Sequence, residues 1–118
     1  RFDFNHDTKM TDEQKRFVED YVNNGILAQA EVTVFEMKKD EAYSEGVEGS
    51  FWEKYPDIVK VYLMKDQVGK VWSKELCGGP HVKNCSFLSR YGTFRINKEQ
   101  SSSAGVRRVK AVFMEKVE

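Results

Sequence analysis

The sequence lacks most of the features that would settle its class at a glance. Its longest unbroken apolar runs are only a few residues, which excludes a membrane-spanning helix. No secretory signal pattern is present, because the chain opens on the charged, strand-like Arg1-Phe2-Asp3-Phe4. It has no initiator methionine, which suggests a piece cut from a longer polypeptide. Its 2 cysteines, Cys77 and Cys85, are too few and too close for a disulfide framework, which points to a reduced, cytoplasmic protein. There is no internal repeat, low-complexity tract or linker, so 118 residues read as one domain spanning 1–118, with room for a single core. At 40% hydrophobic and 13% aromatic residues, the composition argues against disorder.

Net charge is also lacking, but the charges are unevenly placed. Between Lys83 and Lys110 lie seven basic residues (Lys83, Arg90, Arg95, Lys98, Arg107, Arg108 and Lys110) against Glu99 alone, leaving the rest of the chain acidic. A basic C-terminal third fits a polyanionic partner, and equally an ordinary solvated strand face.

The local patterns alternate between two periods. Phe2 and Phe4 share one face of a short strand. Thr11-Asp12-Glu13-Gln14 fits a capping box, with acidic residues where a helix dipole favours them. Phe17, Val18, Tyr21, Val22 and Ile26 then form one apolar stripe, which predicts a helix from about Asp12 to Ala28. Gly25, at a cost of roughly 1 kcal/mol relative to Ala, offers an earlier end near Asn24. Strand patterns follow at Glu31 to Met37, Ile58 to Met64, Lys70 to Leu76, Tyr91 to Lys98 and Val106 to Met114. Short helical turns are expected at Lys39 to Glu45 and Ser50 to Tyr55, with Phe51, Trp52 and Tyr55 as core or rim. The expected fold class is therefore α+β: a mainly antiparallel sheet with one long N-terminal helix and short helices.

One stretch stands apart, Glu75-Leu76-Cys77-Gly78-Gly79-Pro80-His81-Val82. It sets a thiol and an imidazole four residues apart across a turn-forming Gly-Gly-Pro. Zinc takes Cys sulfur and His nitrogen in tetrahedral geometry, and Cys-x3-His can supply two ligands from one turn. The two glycines admit backbone conformations that other residues resist, and Pro80 fixes the approach to His81. His6 and Cys85 are the only further soft donors in the chain. The same spacing also fits a buried cysteine at a strand end with a histidine hydrogen-bonded nearby.

This loop, Gly92-Thr93-Phe94, and Ser103-Ala104-Gly105-Val106-Arg107-Arg108-Val109-Lys110-Ala111-Val112 together resemble the editing domain of alanyl-tRNA synthetases. Arg1-Phe2-Asp3-Phe4-Asn5-His6, Val22-Asn23 and Phe51 to Tyr55 agree with the same family, in family order. Pro80 stands where alanyl enzymes more often have Thr, and there the loop is similar to the threonyl-tRNA synthetase editing domain.

The resemblance implies hydrolytic proofreading: removal of serine or glycine wrongly esterified to tRNA for alanine, with zinc as cofactor. A pocket for alanine cannot reject glycine or serine strongly enough by binding alone, so a second site edits. It implies Cys77 and His81 as metal ligands, completed by a His-x3-His pair that the family places before the point where this chain starts. Glu75, Gly78 and Gly79 fall to substrate binding. Arg107 and Arg108 fall to tRNA contacts, their alternative being pairs with carboxylates across the sheet. At most one of the two arginines is expected to point at RNA, because alternate strand residues face opposite ways.

The segment Asn84 to Tyr91 departs from the family pattern, with Cys85 at its Thr position as an extra donor candidate beside His6. The implied partners are mischarged tRNA and the remainder of a parent synthetase, with neither membrane nor DNA. Weak metal binding and little hydrolysis are expected of the isolated chain. A free-standing trans-editing deacylase and a non-catalytic RNA-binding or structural module are the alternatives.

Overall fold

A computed structural model describes residues 1–115. Its strands are β1 (Phe2–Asn5), β2 (Glu31–Lys38), β3 (Ile58–Lys65), β4 (Val71–Leu76), β5 (Thr93–Ser103) and β6 (Val106–Met114). The helices are α1 (Asp12–Leu27) and α2 (Lys39–Ser44), with 3-10 segments at Trp52–Lys54 and Cys85–Tyr91. The chain forms two compact units, one made of Arg1–Asn24 and the chain from Leu88 onward, the other of Gly25–Phe87.

The expected single antiparallel sheet with one long N-terminal helix is corrected here. The strands form two separate three-stranded sheets, ordered β1-β6-β5 and β2-β3-β4, with every pairing antiparallel. Helix α1, at 16 residues, is of ordinary globular length, and the other helices are short. The class remains α+β with antiparallel sheets.

In the first unit, α1 begins at the capping box. Gln14 N–H donates to Thr11 Oγ1 (3.1 Å) and Thr11 N–H donates to Gln14 Oε1 (2.9 Å). The helix then protects the free edge of β5. Asn23 donates to the Phe94 carbonyl (3.1 Å) and accepts the Phe94 N–H (2.8 Å), as a neighbouring strand would. Glu19 accepts the Ile96 N–H at 2.7 Å. Of the apolar stripe, Phe17, Val18 and Tyr21 stay exposed while Ile26 is buried.

Glu99 is the polar centre of this unit. Its side chain has no exposed surface, and its carboxylate accepts the Met10 N–H (2.9 and 3.2 Å) and Arg107 Nε–H (3.0 Å). Lys15 Nζ lies at 3.7 Å. Burial is the largest single influence on the carboxyl and pushes its pKa up. The Met10 amide, the hydrogen bond and charge of Arg107, and the Lys15 charge together outweigh it, so the group sits below the ordinary glutamate range.

In the second unit, Ala42, Val47, Val59 and Val61 form the core, with Met37, Trp52, Tyr55 and Leu76 packed against it. Trp52 meets Tyr43 and Tyr55 edge-on, while Phe51 is exposed. Helix α1 continues past Gly25, which lies against Trp72: a Cβ there would meet the indole ring at 3.4 Å, an ordinary van der Waals distance.

A carboxyl whose native pKa is depressed adds stability above its unfolded value, and that stability is lost as pH falls through the native value. Glu99→Gln is therefore expected to lower stability at pH 7 by roughly 3 kcal/mol, the cost of stranding a buried ion-pair partner. It should also shallow the loss of stability below about pH 4, where ordinary glutamates titrate. Urea unfolding at pH 7 and pH 3 checks both effects, and equal destabilisation at the two pH values would refute the role assigned to Glu99.

Candidate functional site

The Cys77–His81 loop is delivered by a hairpin. Val61 pairs with Leu76 and Tyr62 with Glu75, so Leu76 turns onto the core while Glu75 shares the opposite face with Tyr62. Asp66 closes the hairpin turn. Its carboxylate accepts the N–H groups of Val68 (3.1 Å) and Lys70 (2.9 Å) and the indole N–H of Trp72 (3.0 Å). The Trp72 bond is the largest cause holding the Asp66 carboxyl below its ordinary range.

Both ends of the loop are anchored. At the start, Leu76 N–H donates to the Glu48 carbonyl (2.9 Å) and Glu48 N–H to the Lys74 carbonyl (3.0 Å), extending the sheet beyond β4. At the finish, Val32 N–H donates to the Lys83 carbonyl and Cys85 N–H to the Ala30 carbonyl, each at 2.8 Å. Asn84 Nδ2 adds a bond to the Gln29 carbonyl at 2.9 Å. The chain thus leaves the β4 side and lands beside β2, and β3 lies between those two strands.

His81 sits on β3. Its ring stacks on Tyr62 with centroids 4.0 Å apart and planes 21° from parallel. His81 Nδ1 lies 3.0 Å from the Gly79 carbonyl oxygen. A carbonyl can only accept, so this partner assigns the proton of a neutral ring to Nδ1 and leaves the Nε2 lone pair free. A ligating histidine commonly uses such a bond to fix its tautomer. The Cys77 sulfur is exposed and accepts the Gly79 N–H at 3.4 Å. Cys77 and Gly78 line a cavity of about 460 Å³, with Tyr55, Ile58, Val59, Lys60 and Leu76 among its walls.

The glycines act differently from the expectation. Neither Gly78 nor Gly79 has a left-handed backbone. A Cβ at Gly78 would meet nothing within 4 Å, and one at Gly79 would meet only Cys77 Sγ at 3.8 Å. What Gly79 contributes is bare space beside the sulfur. Glu75 is exposed and accepts a hydrogen bond from the Ser73 hydroxyl.

The remaining candidates lie elsewhere. Cys85 is buried at the start of its 3-10 segment, and burial pushes its thiol pKa up, which suits an apolar anchor. His6 belongs to the other unit, stacked on Phe4 at 6.3 Å. Arg107 is held by Glu99, and Arg108 donates to both Asp3 oxygens (2.8 and 3.2 Å) and to Ser102. Among the described residues no group of three or more His, Cys, Asp or Glu side chains is placed to hold a metal. Cys77 and His81 offer one sulfur and one nitrogen, which do not by themselves complete a tetrahedral zinc site. Tyr62 is the site residue that sequence reasoning missed; within Ile58 to Met64 it reads as one more packing residue.

Residues 59–110 match the family described as the threonyl and alanyl tRNA synthetase second additional domain. Over 115 residues the chain is 48% identical to an alanine–tRNA ligase of Borrelia hermsii, covering 98% of this chain and 18% of that protein. An alanine–tRNA ligase of Treponema denticola is 48% identical over 95% of this chain and 17% of its own length. One from Francisella tularensis subsp. mediasiatica is 40% identical over 98% of this chain and 12% of its own. The chain thus spans less than a fifth of the length of these relatives. It belongs to the threonyl and alanyl tRNA synthetase second additional domain family, on its alanyl side.

Proposed function

We propose that this chain is the proofreading part of an alanyl-tRNA synthetase, acting in the cytoplasm to hydrolyse serine or glycine wrongly esterified to tRNA for alanine. The observation that carries this is the pairing of Cys77 with a tautomer-fixed His81 on a loop anchored at both ends, beside a largely apolar cavity. Cys77 Sγ and His81 Nε2 are proposed as two zinc ligands, with the others supplied by residues outside this chain. The bare side of Gly78 leaves the approach to the sulfur open to an aminoacyl ester, and the cavity beside it has room for a small side chain. Glu75 is proposed to meet a substrate amine, and its exposure on the Tyr62 face supports this.

Cys77→Ser and His81→Gln in the parent synthetase should each abolish stoichiometric zinc at this site. Deacylation of seryl-tRNA should fall by more than the roughly 10–100-fold typical of losing an outer partner of a ligand. Full zinc content and undiminished deacylation in either variant would sink the proposal. The 118-residue chain alone is expected to bind zinc weakly or substoichiometrically.

The stack on Tyr62 makes a separate prediction. Tyr62→Phe keeps an aromatic platform and should leave the nitrogen-15 resonances of the His81 ring those of an Nδ1-protonated tautomer. Tyr62→Leu should move them toward a tautomer mixture and weaken zinc binding in the parent protein by about tenfold. Identical spectra for the Leu and Phe variants would show that Tyr62 does not position the ring.

A further inference from the structure

The β1-β6-β5 sheet has two unlike faces, and a bulge decides which residues occupy each. Cross-strand partners share a face. Phe94, Ile96 and Glu99 pair with Phe113, Ala111 and Val109 on the side where the Glu99 carboxylate is buried. Arg95, Lys98 and Gln100 pair with Val112, Lys110 and Arg108 on the other side. The register shifts between Ile96 and Lys98, because Asn97 is an extra residue on β5. Strict alternation would put Lys98 beside Val109 on the buried face and turn Glu99 outward. The bulge instead puts the acid inside and the lysine outside.

The outer face is consequently basic. Arg95, Lys98 and Lys110 are exposed, and none makes an ion pair or side-chain hydrogen bond among the described residues. Arg108 on the same face is already neutralised by Asp3. Lys98 and Lys110 stand directly opposite each other. Like charges so placed destabilise a sheet, and a single Glu at either position would relieve them. Val112 and Met114 lie exposed on the same face. A face that keeps an unfavourable pair of cations, neither of them ion-paired to a carboxylate among the described residues, is complementary to a polyanion.

We propose that this face docks the phosphate backbone of RNA, with Arg95, Lys98 and Lys110 as its phosphate-binding residues. The choice of RNA rests on the proofreading reading. The contacts expected of Arg107 and Arg108 are assigned instead to neighbours with no side-chain partner among the described residues.

The test is binding of deacylated tRNA for alanine to this chain, followed by fluorescence anisotropy across 50 to 200 mM salt, concentrations on the order of those where phosphate contacts respond steeply. Lys98→Gln/Lys110→Gln should weaken binding roughly tenfold or more at the middle of that range. It should also lower the slope of log affinity against log salt by about two, one for each contact, and Arg95→Gln should remove about one more. Lys38→Gln/Lys65→Gln removes the same charge from the other sheet and should leave the slope unchanged. Equal loss in the two double variants, or no salt-dependent binding by the unmodified chain, overturns the proposal. Cys77→Ser tests the proofreading loop and should not move this slope, so the two ideas fail separately.

Discussion

Successive side chains of a strand leave on opposite faces, and this alternation is the constraint on which both units depend. In the β2-β3-β4 sheet it sends Val61 and Leu76 into the core and leaves Tyr62 and Glu75 outside, where the Cys77–His81 loop needs a platform. In the β1-β6-β5 sheet the Asn97 bulge resets the count, and a second register shift follows between Ser101 and Ser103. Between the two shifts, Glu99 faces Met10, Lys15 and Arg107, and Lys98 faces water. Shifting either register by one residue would bury a lysine or expose the core.

The buried Glu99 carries a cost of its own. A carboxylate with no exposed surface is tolerable only if its lone pairs are filled, and here an amide and a guanidinium fill them with an ammonium close by. Arg107 is thereby committed to structure, in the same strand where Arg108 is committed to Asp3. A basic residue count overstates the free charge of such a strand. Lys98 and Lys110, by contrast, face each other across the strands, and neither has a carboxylate partner among the described residues.

Local features were legible in the sequence. Thr11 and Gln14 lie three residues apart and satisfy each other's backbone N–H groups, so their bond needs nothing from the rest of the chain. The hairpin turn at Asp66 and the Cys-x3-His spacing are local in the same sense. Long-range pairing was not legible. Phe2–Asn5 bonds to a strand a hundred residues on, and no periodicity states that β1 and β2 belong to different sheets. Periodicity likewise marked Phe17 and Tyr21 as one stripe with Ile26, but it carries no information about which part of a stripe is covered. Tyr62 was invisible for a related reason: its role depends on a loop crossing β3, set by Lys83 to Cys85 bonding beside β2.

That crossing also explains what two adjacent glycines can contribute without unusual backbone angles. A loop free at one end would lose conformational freedom each time it engaged a ligand. Here hydrogen bonds at Leu76, Lys83 and Cys85 fix both ends on folding, and the Tyr62 stack and Gly79 carbonyl fix the imidazole. Rigidity therefore comes from the anchors, which frees positions 78 and 79 from any packing duty. A side chain at 78 would find nothing to pack on, and one at 79 would find only the sulfur, with its Cβ at 3.8 Å. The turn itself therefore requires glycine at neither position, and at 79 its effect is to leave the side next to Cys77 Sγ bare.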